Sequence, residues 1–578
     1  MWNVKACHRD KGKNLLVFMQ NSIMFHSESG VLMIRNVEMG KKLLETAETL
    51  SEAAVQLYHM ISSQAVSAYQ FAETMKQLLQ SMQNHLDLLH IEEPALMSHL
   101  ICKNALYSLE NLLTIAKADS GNACRKIQFE FLPLVNELYA DLFFWGLCYP
   151  DKEKIWHYYR NEMQKLCPLS VPEDGKYKYD VSVVVIAYNK LEYTKLCIDY
   201  LKSFFPWDIN HELILYNNGS NDGTKEYFES LYPDKQIDLQ NNTKSWSILS
   251  RVAEGKYILT ISNDVLILPH AIENLLKCIE SDESICCVAP TCPNIPNLQT
   301  IPASYRSVKE MIEFAEKNNV SDPYRWEQRT RLNPPVLLGR SDSPATHTLY
   351  TYRYPALPDR LLAFSDDLMG LVARRKRKKC MLAKDAYVFH FGSVTAGSET
   401  HQNGSGGVEY YGKGRVGFAK IFDIDPWGTG CCYDPELVPS LNYEKSGPVN
   451  ILGVNCGMGD TPLEIKAILK EKEHNTDVRI YNVTDAKCYE KDLAGLSDDF
   501  KFLLDWEWIK NIFPNVWFTY IIADGVNAQI LEKETLKDLF SRLSVGGMLA
   551  VHSSNVDFRP ERCADESQTQ HWHIYYKS

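Results

Sequence analysis

Across residues 181–264, short apolar runs end repeatedly at polar turns rich in glycine and asparagine: VSVVVI before AYNK, LILY before NNGSNDGT, and YILTI before SND. Runs this short, apolar throughout rather than alternating, predict buried parallel strands. Polar turns at their ends predict a ligand crevice along the carboxyl edge of an open α/β sheet. A different period governs the chain upstream. Apolar or small residues recur at alternating steps of four and three through Leu43, Ala47, Leu50, Ala54, Leu57, Ile61, Ala68, Phe71, Met75, Leu78 and Met82, with only Gln64 out of place. That repeat predicts one long helix with a narrow seam, either a coiled coil or one member of an antiparallel bundle. Further helical patterns at 95–118, 127–147 and 152–166, joined by short connections, make the region all-helical. Its seam serves intrachain packing equally well as oligomerisation or partner docking.

Residues 168–178 (PLSVPEDGKYK) have the composition of a linker, and a second change falls at PELVPSLNYEKSGP, residues 435–448. After it the pattern is strand, glycine turn, helix (NILGVNCGMGDTPLEIKAILKEK), then DVRIYNVTD, TYIIADGVNA and LSVGGMLAVHSS. The expected organisation is multidomain α/β: a helical region at 1–171, a central α/β domain at 172–440 and a Rossmann-like α/β domain at 441–578. The stretch HQNGSGG, residues 401–407, reads as a surface loop.

The composition narrows the function classes. A chain of 578 residues is too long for one core, and a net charge of -12 argues against nucleic acid as the main partner. No apolar stretch reaches the ~18 residues of a membrane span, and MWNVKACHRDKGKN lacks the apolar core of a signal peptide, so the expected location is the cytoplasm. The sixteen cysteines are scattered without zinc-ligand spacing, as expected of reduced, mostly buried thiols.

The order of motifs AYN, NNGSNDGT, GKYILTISND, FSDDLMGLVARR and KDAYVFHFGS resembles that of family 2 glycosyltransferases, over roughly 250 residues of the chain. The resemblance implies the A-type nucleotide-sugar-binding fold. It also implies inverting, metal-dependent transfer of a sugar from a nucleotide diphosphate donor to a hydroxyl of a glycan, a lipid-linked glycan or a protein. By the same resemblance Ala187, Tyr188, Asn189, Asn217, Asn218, Ser220 and Asn263 contact the donor, and Asp264 binds the metal with His390 as second ligand. Imidazole favours manganese, with magnesium as the alternative; a strand-end histidine without a metal is the other reading of His390. Inversion needs a carboxylate to take the acceptor proton. Asp367 matches the family's base and Asp366 orients acceptor or metal, although two adjacent acids also suit the start of a helix.

Two departures stand out. The family's aspartate in the DNGS turn is Asn217 here, and its metal motif begins Ser262-Asn263 before Asp264. A non-catalytic nucleotide-sugar or glycan-binding scaffold is therefore the rival reading. The run Arg374-Arg375-Lys376-Arg377-Lys378-Lys379 reads as a solvated face, a diphosphate-facing edge or a contact with anionic lipid at the inner membrane face. Residues 408–427 resemble the helical arm that closes many bacterial members of the family, and the polar loop before them reads as a lid. The carboxy-terminal order resembles class I methyltransferases. That implies S-adenosylmethionine at the turn bearing Gly457 and Gly459, with Asp485 and Asp524 as acidic contacts, although Gly453 and Asn455 depart from the pattern; a structural or binding Rossmann-like domain without chemistry is an equal reading.

Overall fold

The computed structural model describes residues 32–92, 98–148, 172, 175–240, 249–343, 345–346, 364–392, 394, 407–445, 447–524, 531–552, 558–561 and 563–578. The chain divides into two compact units, Met1–Tyr158 and Tyr159–Ser578. Among the described residues, no helix is long and apolar enough to cross a membrane.

The first unit is helical: α1 (Leu32–Ser62), α2 (Ala68–Glu92), α3 (Ser98–Ala116), α4 (Ser120–Lys126) and α5 (Leu132–Cys148), with a π-helical turn at Ile127–Phe131 leading into α5. The single long helix expected from the seam is two. The chain turns between α1 and α2, where Gln64 adopts a φ of 54°, so the residue that interrupted the apolar period marks the break. Leu43, Ala47, Leu50, Ala54, Leu57 and Ile61 are buried as the seam requires. Beyond the turn the buried set is Ala68, Ala72, Met75, Leu79 and Met82, whereas Phe71 and Leu78 are half-buried. A turn resets the helical phase, which one continuous heptad repeat does not anticipate. The helix expected at 152–166 lies outside the described residues.

The second unit contains two large sheets. The first is built from β1 (Tyr179–Ala187), β2 (His211–Asn217), β3 (Lys235–Asp238), β4 (Gly255–Ser262), β6 (Ile285–Thr291), β7 (Trp326–Arg329), β8 (Val336–Arg340) and β9 (Lys379–Tyr387). Its order is β3-β2-β1-β4-β8-β6-β9-β7. β1 to β4 run parallel, with Ala187 opposite Asn217 and Ile186 opposite Ser262. Two short strands, β5 (Val265–Leu266) and β10 (Phe389–His390), pair antiparallel beside it. Helices α6 (Leu191–Phe204) and α7 (Ala271–Glu280) bury Cys197, Ile198, Leu201, Ile272, Leu275 and Ile279 against Val183, Val185, Leu259 and Ile261. The chain runs outward from β1 to β3 and returns on the other side of β1 as β4. The order thus reverses between β1 and β4, and the carboxyl ends of these strands open onto that switch point. Among the further helices of this part are α8 (Ser365–Arg375) and α9 (Gly407–Phe422).

The second sheet has the order β13-β12-β11-β14-β15-β17-β16, formed by β11 (Val449–Val454), β12 (Val478–Thr484), β13 (Asp499–Phe502), β14 (Phe518–Ala523), β15 (Leu543–His552), β16 (Cys563–Gln568) and β17 (Trp572–Lys577). The first five strands in that order run parallel, and β17 is antiparallel to both neighbours. This is the expected Rossmann-like α/β layer. Helices α10 (Asp460–Glu473) and α11 (Glu490–Leu496) belong to it.

Candidate functional site

The ends of β1, β2 and β4 are tied together by side chains of the motifs that identified them. After β1 the chain turns through Asn189, whose φ is 54°. Its backbone N–H donates to Ser220 Oγ at 2.8 Å, and its Oδ1 accepts from Asn221 N at 2.9 Å. Asn218 N donates to Ala187 O at 2.8 Å. Asn217 Oδ1 accepts from Ser220 N at 3.0 Å, while its Nδ2 donates to Asp238 Oδ1 at 3.1 Å. Asn263 Nδ2 donates to Asn189 O and to Thr194 Oγ1, both at 2.9 Å. Ala187, Asn189, Asn217, Asn218, Ser220 and Asn263 are thereby brought together, with Tyr188 in the turn after Ala187. The Asn263 amide is turned into the scaffold, where it ties the β4 end to the β1 turn. Asp238 was not singled out from the sequence. It closes β3 directly beside Asn217 and returns a carboxylate to the neighbourhood where the DNGS aspartate is missing; a lone acid after the short run KQI carried little signal.

Asp264 and His390, far apart in sequence, meet because β5 pairs with β10 and sets His390 opposite Val265. His390 Nε2 stands 3.5 Å from Asp264 Oδ2, and each residue is 6% exposed. Asn294 Nδ2 donates to His390 O at 3.1 Å, and Phe391 N donates to Asp264 O at 3.1 Å, so both backbones are fixed. A carboxylate oxygen and an imidazole nitrogen converging in this way suit a divalent cation that takes its remaining ligands from substrate phosphates and water.

Asp366 and Asp367 lie in the first turn of α8 and are buried. Arg331 Nε pairs with Asp367 Oδ1 at 2.5 Å. Asp366 Oδ1 accepts from Asp367 N at 3.1 Å, and the helix start at Phe364 has no side-chain cap. Burial raises both carboxyls. For Asp367 the Arg331 charge opposes the rise. Asp366 is pushed up to about 8 by burial and then by the charge of Asp367. The two carboxyls are coupled, and the Arg331 charge favours the ionised form of the pair. Above it, Phe364 stacks on Trp427 with centroids 4.8 Å apart, and the Arg331 guanidinium lies 5.5 Å from the Trp427 ring. A short path joins this pair to the strand ends: Pro335, four residues after Arg331, accepts from Ser262 N at 2.9 Å.

The basic run is only partly in solvent: Arg374 is buried and Arg375 half-buried, whereas Arg377 is exposed. Arg374 and Arg375 both pair with Asp492 at 2.8 Å, and Lys379 pairs with Asp282 at 2.7 Å. Lys378 Nζ donates to Glu283 O at 3.1 Å. Residues 401–406, the expected lid, lie outside the described residues, whereas the helix expected after them is α9.

The glycine turn of the second sheet does not fit S-adenosylmethionine. Gly457 and Gly459 have φ of 56° and 91°, as a tight turn requires. The N–H groups that would face a cofactor, however, are engaged by the chain itself: Met458 N donates to Thr429 O at 3.1 Å and Asp460 N to Gly430 O at 3.3 Å. A Cβ on Gly457 would overlap Thr429 O. Asp485 Oδ2 accepts from the Trp506 indole at 2.8 Å, and Asn455 Oδ1 accepts from Thr484 Oγ1 at 2.8 Å. Asp524 N donates to Val454 O at 3.0 Å, which ties it to the end of β11.

The switch-point crevice and the motifs at its strand ends define a glycosyltransferase domain with the A-type α/β fold. Residues 182–327 match the family model described as Glycosyl transferase family 2. The chain is 29% identical over 150 residues to a chondroitin synthase of Pasteurella multocida (strain Pm70) and, to the same extent, to a hyaluronan synthase of Pasteurella multocida. Each match covers 25% of this chain and 15% of the relative's own length. Among solved structures, a mannosyltransferase of Pyrobaculum calidifontis in complex with GDP-Man and Mn2+ is 14% identical, covering 50% of this chain and 83% of that one at a TM-score of 0.29.

Proposed function

We propose that the protein transfers a sugar, with inversion, from a nucleotide diphosphate donor to a hydroxyl of a glycan. The observation that carries this reading is the convergence of Asp264 and His390 beside the switch point of a glycosyltransferase family 2 domain. Ala187, Tyr188, Asn189, Asn217, Asn218 and Ser220 bind the nucleotide, with Asp238 held beside Asn217. Asp264 and His390 hold a divalent cation, manganese first, which when bound neutralises charge on the departing diphosphate. Asp367 takes the proton of the acceptor hydroxyl as that oxygen bonds to the anomeric carbon; the bond from that carbon to the diphosphate breaks, and its electrons leave with the diphosphate. Arg331 pairs with Asp367 and holds it in place, and Asp366 lies beside it. A glycan is preferred to a lipid-linked glycan or a protein because the curated relatives are named as glycan synthases. The enzyme would work in the cytoplasm.

In this reading Asp367→Asn lowers kcat by about 100-fold or more, as loss of a general base does, and leaves donor affinity within about threefold. Isothermal titration of the donor beside a transfer assay checks both; retained transfer removes Asp367 as the base. The scaffold reading draws support from Asn263, whose amide is spent on the protein rather than the crevice. Metal-dependent nucleotide binding without turnover of any donor would favour it.

A further inference from the structure

The base helix α8 is held from outside its own sheet. Asp492, on α11, is fully buried and bridges two successive residues at the end of α8, accepting from Arg374 Nε and Arg375 Nε, each at 2.8 Å. Arg374 reaches further: Nη1 donates to Thr330 O and Nη2 contacts Met458 Sδ at 3.5 Å. Thr330 is gripped on its other sides as well, its N–H donating to Asp460 Oδ1 at 2.9 Å and its hydroxyl to Cys431 O at 3.2 Å. The residue after it is Arg331, the partner of Asp367. Arg329, before it, is buried among Glu327, Asp460 and Glu464 at 2.5, 3.5 and 3.8 Å. The approach is close enough that a Cβ on Gly495 would overlap Arg374 O, and one on Gly370 would lie 2.6 Å from Thr330 O.

The turn that would bind a cofactor in a Rossmann-like domain is therefore closed by Thr429 and Gly430, and the acids Asp460 and Asp492 face the glycosyltransferase domain instead. We infer that the carboxy-terminal Rossmann-like domain is a clamp for the glycosyltransferase base: Asp492 and Asp460 are positioning residues that fix α8 and residues 329–331, and so fix Asp367 against Arg331. The inference rests on the reading of Asp367 as the base. It follows physically from burial. Arg374 and Asp492 are both withdrawn from water, where removing one charge of a pair leaves the other uncompensated, so the element carrying it shifts. A base displaced by a fraction of an ångström loses rate while the donor, bound at the other strand ends, keeps its affinity.

The test is Asp492→Asn in the full chain, with Asp492→Glu as the conservative rescue. The clamp predicts a fall in kcat of about tenfold or more for Asp492→Asn, with donor KM within about twofold and partial recovery in Asp492→Glu. Hydrogen exchange reads the same clamp without activity: amides of 364–377 gain exchange while those of β1 and β4 keep their protection. Unchanged kcat and unchanged exchange at 364–377 would overturn it, as would loss of protection throughout the sheet, which reports general unfolding. Binding of S-adenosylmethionine to the wild type in calorimetry would overturn the closed turn. Absence of transfer by the wild type with every donor is a failure of the glycosyltransferase reading instead, and the exchange result still decides whether the clamp exists.

Discussion

The two adjacent carboxyls show how much environment separates chemically identical side chains. Asp367 pairs with Arg331, whereas Asp366, on which Arg331 and backbone N–H groups also act, is pushed up by burial and then by the charge of Asp367. A carboxyl whose folded pKa lies above its unfolded value binds more protons in the folded state, so stability falls as pH rises from about 4 to that folded value. For Asp366 the window closes at about 8. Asp366→Asn has no charge to develop, so its unfolding free energy relative to wild type should grow steadily across that window. Urea titrations at pH 5, 6.5 and 8 measure it, and a pH-independent difference would show that Asp366 is not raised. At this scale the sequence made the acidic pair visible through FSDDLMG and the Asp264–His390 pair through ISND and VFHFGS. It did not reveal Arg331 or Asp238, because a single charged residue carries no signal until the fold sets it against its partner.

Elements were legible where the pattern was local. The buried parallel strands β1, β2 and β4 leave continuous apolar runs, and their polar ends mark the crevice. The seam of α1 was equally clear. What failed was phase and environment: the heptad read through Gln64 where the chain turns, and none of the three readings of the basic run anticipated its pairing with Asp492, more than a hundred positions further on. Helix α9 offers a test of the roof over the acidic pair. Gly414 faces the buried Phe364 ring, which a Cβ there would overlap, and Phe364 in turn stacks on Trp427. Overpacking of about 1–3 kcal/mol should outweigh the roughly 1 kcal/mol that alanine gains over glycine in a helix. Gly414→Ala is expected to lose about 1 kcal/mol of stability in denaturant titration, and to shift the Trp427 fluorescence; an unchanged emission spectrum would mean that the roof is looser than described.

For the whole molecule, the alternation of strand and helix patterns was enough to expect two α/β sheets and a helical region. The role of the last sheet was not, because it depends on pairs such as Thr330 with Asp460 and Arg374 with Asp492, which join distant parts of the chain. The glycine turn reads as a cofactor site from its own residues and is closed by residues that precede it by nearly thirty positions. The central claim remains the sugar transfer at the ends of β1, β2 and β4. Its most direct test is nucleotide diphosphate release in the presence of manganese across uridine, guanosine and thymidine diphosphate sugars, comparing wild type with Asp264→Ala. The account predicts release from one donor class that depends on manganese and is lost in Asp264→Ala; binding of a donor without release by the wild type, or release that survives Asp264→Ala, would contradict it.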